Sequence, residues 1–300
     1  MKNFISCHLF LFLSLGACFA CNRENEEIEE YYPYANQIDT ILCEGLLRTY
    51  KLYVPASYSE SSKVALVIAL HGYGNNATEM EKTTRLDAKA DTEGFIVAYP
   101  DGWNYSKTSN KTQIWNAGGG YGEITQGTDD VGFINQMIEL IGKHYNIDQS
   151  MIYATGFSNG SSMCYRLGCE LSCKIAAIAT HSGNLTCNWN NEPDCKFSIL
   201  HIHGLKDGIV PFYREAETTI SSPVDTVLSR FASLFSCDRI SDTIFRNSGY
   251  LVKNWACSEN IGIELYLLNE GRHDWFNSSN SCIQVNDIIW EFFKAHPKTD

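Results

Sequence analysis

Positive charge is scarce in this chain of 300 residues: 23 Lys and Arg face 35 Asp and Glu, a formal net charge of -12. Phosphate backbones and anionic lipids are held through Lys and Arg, so this balance excludes a nucleic-acid partner. It fits a soluble protein acting on neutral or cationic molecules. No period of roughly 20–50 residues recurs, which excludes a solenoid or propeller. From Cys43 onward there is no CxxC pair and no Cys/His ladder of zinc spacing, so no metal is expected. Gly118 to Gly122 has glycines but no feeding strand and no following G-K-[ST], so it is not read as a phosphate cradle, and no cofactor is expected. Residues 40–296 contain no linker-like stretch, which argues against a second domain.

What is present starts with 44% apolar content, enough for a full core. Lys2 precedes the apolar run Phe4 to Ala17, too short to span a bilayer but right for a secretory signal. Leu15-Gly16-Ala17-Cys18 resembles a lipoprotein cleavage box with Cys18 acylated; a cut after Ala20, or acylation at Cys21, competes with it. The acidic stretch Asn22 to Glu30 reads as a solvated tether. The expected organisation is a signal at 1–20, a tether at 21–40 and one folded domain at 41–300. Either form of the signal takes the chain out of the cytoplasm, free or anchored to a membrane through Cys18 or Cys21. Of 12 cysteines, those from Cys43 to Cys282 are then disulfide material, with Cys187–Cys195 and Cys237–Cys257 close enough in sequence to pair.

Apolar runs alternate with helix-like stretches along the domain. Strands are expected at Leu47–Val54, Val64–Leu70, Phe95–Tyr99, Met151–Thr155, Ile175–Ala179, Phe197–Ile202 and Ile263–Leu268. Helices are expected at Glu79–Asp91, Asp130–Tyr145, Ser161–Leu167, Val224–Phe235 and Ile283–Phe293, and a long surface loop at Gly102–Gly127. Continuous apolar runs such as Val64–Leu70 are the mark of strands buried on both faces. The order predicts an α/β fold with a doubly wound, mostly parallel sheet in one domain.

One stretch carries chemistry. Met151 to Thr155 runs into Gly156-Phe157-Ser158-Asn159-Gly160 and then into a helix. G-x-S-x-G on a strand-to-helix turn is a nucleophile elbow, which lifts a serine hydroxyl clear of the chain. A serine needs a base, a carboxylate to orient it and donors for an oxyanion. In the chain order Ser, acid, His, the base is expected at His273, in a loop after a strand. The acid is expected at Asp207, beyond the strand Phe197–Ile202, where α/β sheets display functional groups. Asp225, Asp238 and Asp274 are weaker alternatives. Backbone N–H groups of Asn159 and Tyr73 are the expected oxyanion donors, with Gly72 next. Those of Tyr73 and Gly72 follow the buried strand in Leu70-His71-Gly72-Tyr73-Gly74. His201 and His203 share one face of their strand and are read as core histidines rather than metal ligands.

Five blocks, LVIALHGYG, WNAGGGYG with DDVGFINQMIELI, YATGFSNGSSMCYRLGC, LHIHGLKDGIVPF and GRHDW, occur in order across about residues 45 to 295. Together they resemble secreted α/β-hydrolase esterases of the polyhydroxybutyrate depolymerase and feruloyl esterase type, related to carbohydrate esterase family 1. The resemblance implies carboxylic ester hydrolysis with Ser158 as nucleophile, Asp207 as orienter and His273 as base. Asp130, in a family block, is read as structural. Trp115 and Trp275 are candidate aromatic walls for sugar or phenolic rings. The loop after Trp115 lacks the cysteines that similar sequences often carry, and no module for binding solid polyester is visible. An acylated plant polysaccharide, feruloyl or acetyl, is therefore the expected substrate. Polyester depolymerisation, a serine peptidase of the same fold, and a surface glycan-binding protein that has lost catalysis are the alternatives.

Overall fold

A computed structural model of the chain describes residues 38–105, 113–119, 127–186, 192–213, 223–238, 242–258 and 260–299. The expected signal, most of the tether, Cys18, Cys21 and Cys187 lie outside the described residues. All described residues fall in one compact unit.

A single sheet dominates. Its strands are β1 (Ile38–Cys43), β2 (Leu46–Tyr53), β3 (Val64–Leu70), β4 (Ile96–Pro100), β7 (Ile147–Phe157), β8 (Ala177–His181), β9 (Ser198–Gly204), β10 (Asp242–Arg246), β11 (Tyr250–Trp255) and β12 (Ile263–Leu268). They lie in the order β1-β2-β4-β3-β7-β8-β9-β12-β11-β10. From β4 to β12 every neighbouring pair is parallel, and both flanks are antiparallel. Short β5 (Trp103–Asn104) and β6 (Gln113–Ile114) pair separately.

The helices are α1 (Ala77–Thr84), α2 (Leu86–Glu93), α3 (Asp130–His144), α4 (Asn159–Glu170), α5 (Val224–Leu234) and α6 (Val285–Ala295). The sheet is wound on both faces because side chains alternate along each strand. On β3, Leu66, Ile68 and Leu70 join a core with Phe133 and Ile134 of α3, Leu167 of α4 and Phe231 of α5. Ala65, Val67 and Ala69 join the other core with Met80 of α1, Ala90 of α2 and Phe293 of α6. This is the expected α/β arrangement.

Several expectations need correction. The helix expected over Glu79–Asp91 is two helices, broken where Arg85 takes a left-handed conformation (φ 52°) and returns its N–H to Glu81 O. The sheet starts at Ile38, inside the stretch assigned to the tether. Strands β10 and β11 were not anticipated; β10 is exposed throughout and so has no apolar alternation to read. The loop expected on the surface over Gly102–Gly127 carries Ile114, Trp115 and Ala117 into the core. Cys237–Cys257 is bridged as expected, but Cys195 pairs with Cys173, not Cys187. That bridge joins the turn after α4 to the approach of β9, a contact that only the packed sheet creates.

Candidate active site

The elbow lies between β7 and α4. Ser158 has φ 54° and ψ -115°, a conformation rare for a residue with a side chain. Such backbone strain costs on the order of 1–3 kcal/mol and persists only where the surroundings enforce it. Here they do. Ser158 N–H donates to His181 O at the end of β8 (2.9 Å). A Cβ on Gly156 would collide with the Gly160 carbonyl, and one on Gly160 with the carbonyls of Leu70 and His71. The two glycines of the motif are thus required by close approach of backbone.

Beside the serine runs the loop after β3. A Cβ on Gly72 would lie 3.5 Å from Ser158 Cβ, which places this loop against the serine. Neutral His71 anchors it. Gly102 N–H can only donate, so His71 Nε2 accepts that bond (2.9 Å), and Nδ1–H faces Gly72 O (2.7 Å). Burial brings the imidazole down to about 4, partly opposed by the Gly72 bond. Trp115 Nε1–H donates to His71 O (2.9 Å). Asn159, the first residue of α4, grips Trp115 through its side chain: Oδ1 accepts from Trp115 N (2.8 Å) and Nδ2 donates to Trp115 O (3.3 Å). Its backbone N–H is among the first of a helix, which have no partner within the helix. Tyr73 follows Gly72 and is 50% exposed.

Asp207 follows β9 by three residues. Its Oδ1 accepts from the N–H groups of Ile209 (2.9 Å) and Val210 (2.8 Å), and its Oδ2 from His273 Nδ1 (2.7 Å). Burial alone would raise this carboxyl. The bonds from His203, His273 and Val210 N–H outweigh that and hold it well below the usual carboxylate range. It is an anion at any pH near neutral. His273 follows β12, and its ring packs 4.8 Å from that of Phe157, the residue before the serine. The two loops are sewn together by Leu205 N–H to Leu268 O (2.8 Å) and Lys206 N–H to Gly271 O (2.9 Å). Gly204 pairs with Leu268 in parallel register, so both loops leave the sheet at one level. The His273 side chain is 12% exposed and borders a cavity of ≈ 430 Å³ with Lys206, Gly208, Ile209, Arg272 and Asp274.

Ser158, Asp207 and His273 therefore leave the same edge of the sheet, beyond the carboxyl ends of β7, β9 and β12. The two tryptophans do not serve as expected. Trp115 is 0% exposed and locks the His71 loop; Trp275 is 4% exposed, bonded to Asn286 Oδ1 (3.0 Å) and packed on His181. Buried rings offer no wall to a substrate. Asp130 is structural as read: buried, it binds Arg48 (2.6 Å) and Asn116 N–H (2.6 Å). His201 and His203 are buried, and among the described residues no group of three or more His, Cys, Asp or Glu side chains is arranged to hold a metal ion. The sequence reading overlooked His71; its signal was a histidine directly after a buried strand and directly before a glycine.

A doubly wound sheet with a serine elbow at its carboxyl edge defines an α/β-hydrolase, and the comparisons make it a carboxylic ester hydrolase. The family described as Esterase PHB depolymerase matches residues 48–192. A probable feruloyl esterase C of Aspergillus terreus is 30% identical over 259 residues, 82% of this chain and 83% of that protein. The chain belongs to this family of esterases. A bifunctional acetylxylan esterase/xylanase of Neocallimastix patriciarum is 27% identical over 83% of this chain, which spans only 33% of that relative. Acetyl xylan esterase from Aspergillus awamori shares the fold, with a TM-score of 0.63 over 86% of this chain and 99% of its own at 14% identity.

Proposed function

We propose that the chain hydrolyses carboxylic esters through an acyl-enzyme on Ser158, on feruloyl or acetyl groups carried by plant polysaccharide outside the cytoplasm. The observation that carries the mechanism is the 2.7 Å bond between His273 Nδ1 and Asp207, in a ring packed beside the elbow. With Nδ1 donating to an anion, the proton sits on Nδ1 and Nε2 keeps its lone pair. Ser158 Oγ attacks the ester carbonyl as Nε2 takes its proton. The oxyanion forms beside the first turn of α4, where the N–H of Asn159 and the helix dipole favour negative charge, with Tyr73 N–H as second donor. The imidazolium, steadied by Asp207, passes the proton to the leaving alcohol. Water, deprotonated by the same nitrogen, then releases the acid.

The substrate class rests on the relatives, whose names specify feruloyl and acetylxylan esters. Export rests on the amino-terminal apolar run and on the two disulfides, which persist in oxidising compartments. Incubation with feruloylated and acetylated xylan oligosaccharides, followed by product analysis, tests the substrate. Release of ferulate or acetate is expected. Ser158→Ala should abolish turnover and fluorophosphonate labelling while leaving the circular dichroism spectrum unchanged. Turnover of chromogenic amides with inert aryl esters would make the chain a peptidase. Sugar binding without labelling of Ser158 would make it a glycan-binding protein, and release of hydroxybutyrate from polyester a depolymerase.

A further inference from the structure

Asp207 has a second histidine behind it. His203, on β9 and fully buried, points Nε2 at Val210 O (2.8 Å) and at Asp207 Oδ2 (3.5 Å). Both are acceptors, since Asp207 is ionised, so Nε2 must carry the proton. His203 Nδ1 is then a lone pair and accepts from His201 Nε2 (3.0 Å). That places the His201 proton on Nε2 and leaves its Nδ1 to accept from a hydroxyl. Two are in reach: Thr180 Oγ1 (2.8 Å) and Tyr165 Oη (2.9 Å). The two imidazoles stack at 5.3 Å. With both imidazoles neutral, every donor in this chain of hydroxyl, imidazole and imidazole points towards Asp207.

The contact with Val210 O matters as much as the longer one with the carboxylate. The N–H groups of Ile209 and Val210 cradle Asp207 Oδ1, and His203 ties the carbonyl end of that same turn to β9. Both oxygens of the carboxylate are thus held with His203's help, one through the turn and one by its N–H dipole.

We propose that His203 is a positioning residue for Asp207, its Nε2–H fixing the carboxylate that orients His273, with His201 and its hydroxyl donors setting the tautomer of His203. This rests on the reading of Ser158, Asp207 and His273 given above. A histidine that only filled space would be replaced equally well by phenylalanine. One that positions by donating a hydrogen bond would be replaced better by glutamine, whose Nε2 can reach about the same point.

The test uses the full chain with 4-nitrophenyl acetate as probe. His203→Phe should lower kcat by about 10- to 100-fold, the loss typical when the partner orienting a metal-bound histidine from behind is removed, with KM little changed. His203→Gln should recover most of that loss. Equal kcat in the two variants, or an effect confined to KM, overturns the proposal. Should the Phe variant not fold, nitrogen NMR of the unmodified chain labelled at histidine decides. His203 and His201 are expected as Nε2–H tautomers, and an Nδ1–H tautomer at His203 overturns the proposal. Absence of turnover and of Ser158 labelling in the unmodified chain would instead defeat the esterase reading, while the NMR result would still stand or fall on its own.

Discussion

Asp207 shows how much one side chain depends on its partners. Its carboxylate is buried, yet two backbone N–H groups and two imidazoles keep it charged. Asn at this position keeps the size but turns an acceptor into a donor, so His273 Nδ1 loses its anion and the other tautomer is favoured. Asp207→Asn should lower kcat by about 10³- to 10⁴-fold with KM little changed, measured by steady-state kinetics on an aryl acetate. At this scale chain order was enough to pick out three residues, Ser158, then Asp207, then His273, that the structure places beyond the same edge of the sheet, with Asp207 and His273 in contact. It was not legible for Trp115 and Trp275. An aromatic residue in a glycine-rich loop reads the same whether its ring faces solvent or core, and burial decided against both as walls.

At the scale of elements, the junction of β7 and α4 is held by approach of backbone to backbone. The Gly160 Cα lies where a methyl would meet the Leu70 and His71 carbonyls, so Gly160→Ala must push α4 from β3. A loss of about 1–3 kcal/mol is expected, read from the urea midpoint at constant m-value. Because the His71 loop lies across the same contact, activity should fall by more than the unfolded fraction explains. The interruption at Arg85 was hidden because 79–91 has no glycine or proline to announce it.

For the whole molecule, buried histidines set the response to acid. Burial brings His71 down to about 4 and holds His181 and His201 well below the usual imidazole range. In the unfolded chain these groups titrate at about 6.5. Below that pH the unfolded state binds protons that the folded state refuses, so stability falls as pH drops. Asp87, pushed up to about 7 chiefly by burial, acts in the opposite sense between roughly pH 4 and 7. His296, lowered by burial, adds to the three histidines, while Asp130 and Glu264, raised by burial from ordinary values of about 4, add to Asp87; between pH 7 and pH 5 the histidines are the larger set. Denaturation midpoints should therefore decline from pH 7 to pH 5, and a rising midpoint over that window would contradict the neutral state assigned to these histidines.

The sequence by itself determined the local structure: doubly buried strands written as unbroken apolar runs, amphipathic helices between them, and a serine between two glycines at one junction. Those signals are carried by neighbours a few residues apart, so they survive without knowledge of the fold. Only the tertiary structure decided that Cys173 bridges Cys195, that Trp115 braces His71, and that His203 stands behind Asp207. The first two join chain segments whose separation in space is set by strand order and register, quantities that no single segment encodes; His203 and Asp207 are only four residues apart, and it is the turn after β9 that brings them face to face.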